Sequence, residues 1–134
     1  MSERFDRPKR IIAVPCLAPG GLQAERSGHF GHCECFTIIQ AQGDGITAVE
    51  VVGNAPHHEG GCLDPVRMLG SLGVTDIVVG GMGARPLALF NDLGIAVYAD
   101  QALPTVGQAI DALLQDNVPA MSDMHVCGGG TCGH

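Results

Sequence analysis

A chain of 134 residues is the length of one ordinary domain, and 46% hydrophobic against 16% charged content excludes a compositionally disordered polymer. Aromatic residues make up only 4% and tryptophan is absent, so the core must be aliphatic, while 20 glycines, about twice the usual ~7% share, call for tight turns and close backbone approaches. The net charge of -7 hides an asymmetry: Arg4, Arg7, Lys9 and Arg10 hold four of the seven basic residues, and the acidic body behind them repels a phosphate backbone, which argues against a nucleic-acid partner.

Residues 1–10 are polar and charged and read as a disordered lead-in. Ile11 to Cys16 is a short aliphatic run followed by Pro19-Gly20-Gly21, the pattern of a buried strand entering a loop. Pro15 interrupts this run, no small-residue cleavage pattern follows it, and no stretch reaches the ~20 apolar residues of a membrane span. The expectation is a cytoplasmic chain without a membrane partner. Phe36 to Gln42 and Ile46 to Gly53 are β-branched runs around Gly43-Asp44-Gly45, a hairpin signature.

After Asn54-Ala55-Pro56 the period becomes helical: Cys62, Val66, Leu69 and Leu72 recur, and Gly73 stands where a helix ends. Thr75 to Val79 is a strand running into Gly80-Gly81-Met82-Gly83. A second helix carries Pro86 in its first turn and is expected to bury Leu89, Phe90 and Leu93 before Gly94 stops it. Ile95 to Ala99 form the last strand. Val106, Ala109, Ile110, Leu113 and Leu114 make an apolar helical stripe ended by Asn117 and Pro119. Two successive βαβ steps beside a hairpin require a mixed α/β sheet. The domain therefore covers residues 11–120, and residues 121–134 form a flexible Gly/Cys/His tail.

Six cysteines without a secretory signal favour metal or redox chemistry over a disulfide framework. Gly28-His29-Phe30-Gly31-His32-Cys33-Glu34-Cys35-Phe36 packs two histidines and two thiols into seven positions. If the backbone there is extended, Cys33 and Cys35 share a face at a Cα separation of roughly 6.5–7 Å and could converge on one soft metal ion. The alternative is that both are small buried residues. His57-His58-Glu59-Gly60-Gly61-Cys62 is a second group, with Cys62 near a helix N-terminus that favours its thiolate; His58 and Cys62 are its candidate ligands. In the tail, Cys127 and Cys132, flanked by His125 and His134, could hold an ion or form a reversible disulfide. The loop containing Gly81, Gly83 and Arg85 could cradle an anion, including an anionic metal–sulfur cluster, or serve only as a tight turn; it lacks the Walker ending and the dinucleotide fingerprint. No hydrolytic constellation stands out. Asp64, Asp76, Asp92 and Asp111 fall where caps and solvated faces are expected.

On these residues the chain resembles the dinitrogenase iron-molybdenum cofactor biosynthesis family, which includes small cofactor carriers and the orange proteins of sulfate reducers. The resemblance rests on Ile11 to Pro15, Gly28 to Cys33 leading into Phe36, Asn54 to Cys62, Val78 to Arg85, Gly94-Ile95 and Thr105-Val106, and covers about residues 11–116. It implies a ribonuclease-H-like α/β motif, a five-stranded mixed sheet with flanking helices, without the nuclease. It further implies binding, carrying or assembly of an iron–sulfur, iron–molybdenum or molybdenum–copper cluster rather than catalysis, with acceptor or assembly proteins as partners. His29 matches the family's cluster contact, whereas Cys35 lies outside its motif. The expected cluster site is His29, His32, Cys33 and Cys35, joined by Gly81, Gly83 and Arg85. A thiol redox or zinc protein built on Cys127 and Cys132 is the alternative from the residues alone.

Overall fold

The computed structural model describes residues 9–27, 33–43, 45–53, 63–100, 103–115 and 117–118. They contain β1 (Lys9–Cys16), β2 (Cys35–Gln42), β3 (Gly45–Gly53), α1 (Leu63–Ser71), β4 (Asp76–Val79), α2 (Ala84–Asp92), β5 (Ala96–Ala99) and α3 (Val106–Leu114). The five strands make one mixed sheet in the order β3-β2-β1-β4-β5. β1 pairs antiparallel with β2 and parallel with β4; β2 and β3 form the hairpin, and β4 and β5 are parallel. The expected architecture is therefore present.

Strand alternation divides the core in two. Ala13, Phe36, Ile38, Ile77, Val79 and Val97 face α1 and α2, where Val66, Leu69, Leu87 and Phe90 cover them. Ile12, Val14, Cys16, Ile39 and Val78 face α3, which contributes Val106, Ala109, Ile110 and Leu113. The period of two sends neighbouring residues of one strand into opposite layers.

Two helix ends correct the expected burial. α1 closes with Val74 N–H donating to Leu69 C=O (3.3 Å) and Gly73 N–H to Gly70 C=O (3.1 Å), with Gly73 at φ +81°. α2 repeats the motif with Ile95 to Phe90 (2.9 Å), Gly94 to Asn91 (3.1 Å) and Gly94 at φ +77°. In this Schellman geometry the buried apolar contact belongs to the residue after the glycine. Val74 and Ile95 are accordingly buried, while Leu72 and Leu93, expected inside, stand 43% and 49% exposed. α3 starts on a capping box: the Thr105 hydroxyl accepts from Gln108 N–H, and the Gln108 side chain accepts from Thr105 N–H.

The lead-in expected over residues 1–10 is also shortened, because Lys9 and Arg10 pair with Gln42 and Ala41 in β1. Arg10 reaches across the sheet to Asp76, Nη2 to Oδ2 at 2.8 Å and Nε to Oδ1 at 3.3 Å. Asp76, expected at a solvated edge, is thus buried with a bidentate partner, whereas Asp92 and Asp111 are exposed as expected. The side chain of Asp64 and residues 121–134 lie outside the described residues.

Phe90 has no exposed surface, so Phe90→Ala should lower unfolding free energy by about 3–5 kcal/mol, while Leu93→Ala should cost under about 1 kcal/mol. Urea denaturation of both variants checks the assignment of the inner face of α2.

Candidate functional site

The chain leaves β1 toward β2 and β3 on one side of the sheet, and leaves β4 toward β5 on the other. That reversal makes the carboxyl ends of β1 and β4 a topological switch point, where open α/β sheets form a crevice for ligands. Cys16 ends β1, Val79 ends β4 ahead of Gly80-Gly81-Met82-Gly83, and Ala99 ends β5 ahead of Asp100. The antiparallel hairpin brings the start of β2 and the end of β3 to the same edge, with Cys16 opposite Cys35 and Cys35 opposite Gly53. Ser27 and Cys33 bracket the His29 segment, and Ser27 N–H is tied to Pro15 C=O at 3.0 Å, beside the same edge.

The segment from Leu17 to Ser27 is laced into this edge from both sides. Ala18 N–H donates to Glu34 Oε1 (2.7 Å) and Gly21 N–H to Thr37 Oγ1 (2.9 Å). Toward α3, Gly107 N–H donates to Leu22 C=O (2.7 Å) and Val106 N–H to Ala24 C=O (3.0 Å). Gly20, at φ +81°, lies so close to β3 that a Cβ there would come 2.6 Å from Val51 Cγ1 and 3.3 Å from Cys35 Sγ.

Arg26 anchors the end of this segment. Its Nη1 pairs with Asp100 Oδ2 at 2.7 Å and bonds Leu103 C=O at 3.0 Å, and its Nη2 bonds Asp100 C=O at 2.8 Å. The side chain is only 6% exposed, and Nε is a buried donor without a partner among the described residues. Such a group normally has an acceptor.

Cys33 and Cys35 do not share a face. β2 begins at Cys35, Glu34 lies in a bend, and the alternation that would align the two thiols does not extend to Cys33. Cys33 belongs to the core layer that holds Ala13, Phe36 and Val66, and Cys35 to the other layer, with Cys16 and Val14. Both are 5% exposed. Burial pushes the Cys33 thiol up to about 12, reinforced by neighbouring Cys16 and Cys35. Burial and the hydrogen bond with Cys16 push the Cys35 thiol up as well. Both are neutral thiols at physiological pH, so a metal must displace their protons.

Cys16, like Arg26, carries no signal in the sequence as a site residue: its Sγ is 3.5 Å from Cys35 Sγ and 3.1 Å from Thr37 Oγ1. Only the β1–β2 register puts them together, and residues 19 positions apart carry no spacing signal for it. Gly81 and Gly83 are buried in the turn between β4 and α2, and Arg85 is exposed in the first turn of α2. Among the described residues no group of three or more His, Cys, Asp or Glu side chains is arranged to hold a metal ion. His29, His32, His58, Cys62, Cys127 and Cys132 lie outside the described residues. An apolar cleft of about 350 Å3 between α1 and α2, lined by Val74, Leu89 and Ile95, opens near the starts of β4 and β5, away from this edge. No described helix is long and apolar enough to cross a membrane.

The family described as dinitrogenase iron-molybdenum cofactor matches residues 10–116. An uncharacterised protein of Methanocaldococcus jannaschii is 31% identical over 74 residues, spanning 54% of this chain and 63% of that protein, so the match covers less than two thirds of the relative. Among solved structures, the apo form of the orange protein from Desulfovibrio gigas superposes with a TM-score of 0.73 at 25% identity, covering 84% of this chain and 93% of that one. A Methanocaldococcus jannaschii crystal structure, provisionally called a dinitrogenase, gives a TM-score of 0.69 at 14% identity over 86% and 97% of the two chains, a likeness of fold alone.

Free thiols in an unfolded chain titrate near 9.0, and Cys33 in the fold near about 12. Between these values the folded chain holds the proton that the unfolded chain has lost. The stabilisation is therefore complete below pH ~9 and is lost as pH rises toward ~12. Urea midpoints should fall from about pH 8 to about pH 10.5, and Cys33→Ala should decline less steeply over that interval. Equal slopes would place Cys33 in a solvated position.

Proposed function

Because the chain belongs to the dinitrogenase iron-molybdenum cofactor family, we propose that it binds and carries a metal–sulfur cluster at the carboxyl ends of β1 and β4. The cluster is cargo, of the iron–sulfur, iron–molybdenum or molybdenum–copper type, and the chain is a carrier or assembly factor rather than an enzyme. Acceptor or assembly proteins are its partners.

The observation that carries this reading is topological. The segments bearing Cys16, Cys35 and Gly80 to Gly83 end on one edge at the switch point, and both anchors of the His29 segment stand there. The donor chemistry fits a sulfide-rich anion. Arg26 keeps a buried N–H without an acceptor among the described residues at the root of the His29 segment, and thiols are soft ligands for iron, copper or molybdenum-associated metals. His29 makes the first contact, because imidazole suits several of the same metals as thiolate. Cys33 and Cys35 follow only after losing protons and leaving their packed positions, so their coordination is coupled to proton release. Gly81 and Gly83 carry no side chain at the turn, and Arg85 adds positive charge at the start of α2, where the helix dipole favours anions.

Anaerobic reconstitution with iron and sulfide, followed by metal analysis and absorption spectroscopy, tests the assignment. His29→Ala should hold several-fold less metal per chain than the parent, and Cys33→Ser combined with Cys35→Ser should lose most of the remainder. Circular dichroism of the metal-free variants separates ligand loss from unfolding. Folded variants that both retain full metal would defeat the site.

A further inference from the structure

The best-defined chemical pair in the described residues is Cys16 and Cys35, and the cluster reading does not use it as a pair. The two residues are directly opposite in the antiparallel register of β1 and β2. Pro15 C=O accepts from Ser27 N–H and Leu17 N–H donates to Glu25 C=O, so the neighbours of Cys16 turn their polar groups away from β2. Cys16 therefore directs its own N–H and C=O at Cys35, which makes the two a hydrogen-bonded pair with Cα atoms about 5.5 Å apart. That separation lies inside the ~4.4–6.8 Å window of disulfides. The sulfurs are 3.5 Å apart, and each lies near the other's carbonyl: Cys16 Sγ at 3.6 Å from Cys35 O, and Cys35 Sγ at 3.8 Å from Cys16 O. Closing to a bond length of ~2.05 Å asks for side-chain rotation within one strand pair rather than a change of register.

We propose that Cys16 and Cys35 form a thiol–disulfide site, a two-electron couple at the ligand edge of the sheet that exchanges with low-molecular-weight disulfides. Cys35 is the entry point, since Cys16 is fully enclosed and Cys35 retains 5% exposure beneath the Gly20 turn. The Cys35 thiolate attacks one sulfur of a small disulfide RSSR, forming a mixed disulfide and releasing RS⁻, which takes up the proton from the Cys35 thiol. Cys16 then attacks Cys35 Sγ, and the second RS⁻ leaves with the Cys16 proton. The protein loses two protons and two electrons, and RSSR becomes two RSH. Thr37 Oγ1, already accepting from Gly21 N–H, has its own proton free to donate to Cys16 Sγ as negative charge develops there.

In the oxidised form neither sulfur can ligate metal, so the pair sets whether Cys35 is available to cargo. That consequence rests on the cluster reading; the disulfide does not, and its test uses the metal-free chain. The reduced full-length protein is incubated with 2-hydroxyethyl disulfide at about pH 8.5 until its mass is constant, quenched in acid, alkylated under denaturing conditions and digested with trypsin. The expected result is a fraction lighter by two hydrogens, in which the peptide of residues 11–26 is joined to that of residues 27–67 through Cys35. Cys33→Ala should keep this link and Cys35→Ser should abolish it. A link from Cys16 to Cys33 or Cys62, or full recovery of alkylated Cys16 at constant mass, would overturn the proposal.

Discussion

The arrangement depends on β1 being central and two-sided in its pairing. An antiparallel partner on one side and a parallel partner on the other force the hairpin to return to the edge where β1 ends, while the βαβ step delivers β4 to that same edge. If β1 were paired parallel on both sides, Cys35 would lie at the far end of the sheet from Cys16. The mixed pairing is what concentrates the start of β2, the end of β3 and the glycine turn after β4 around the end of one strand.

Charge sets the character of that edge. The body of the chain is acidic, yet the segment leading to His29 is pinned by a buried arginine whose charge is met by Asp100 and whose Nε has no partner among the described residues. The nearby thiols are protonated and enclosed, so the edge presents hydrogen-bond donors before it presents thiolates. Such an order suits a carrier. A loosely committed first contact allows release, and stronger coordination is conditional on proton loss.

Much of the fold was legible because local chemistry and tertiary structure agree. Ile11 to Cys16, the Gly43 to Gly45 turn and the stripe from Val106 to Leu114 each carry a period or turn signal that packing does not override. Periodicity misleads where tertiary geometry outruns it. Leu72 and Leu93 continue their helical stripes on paper, but the Schellman turns hand their buried places to Val74 and Ile95. Cys33 and Cys35 alternate as strand residues would, but the bend at Glu34 ends the strand between them. Asp76 reads as a surface acid until Arg10, 66 positions away, arrives across the sheet. Cys16 and Arg26 were illegible as site residues for the same reason: their partners are distant in sequence and are fixed by register and by the path of the Leu17 to Ser27 segment.

The most direct test of the cluster seat is a comparison of amide NMR spectra of the 15N-labelled chain, metal-free and loaded anaerobically with a paramagnetic iron–sulfur cluster. Broadening should centre on Cys16, Cys35, Gly53 and Gly80 to Gly83, while Gly45, Gly73, Thr75 and Gly94 at the other end of the sheet keep sharp signals. Broadening centred on that second group, or a folded chain that takes up no cluster, would contradict the account.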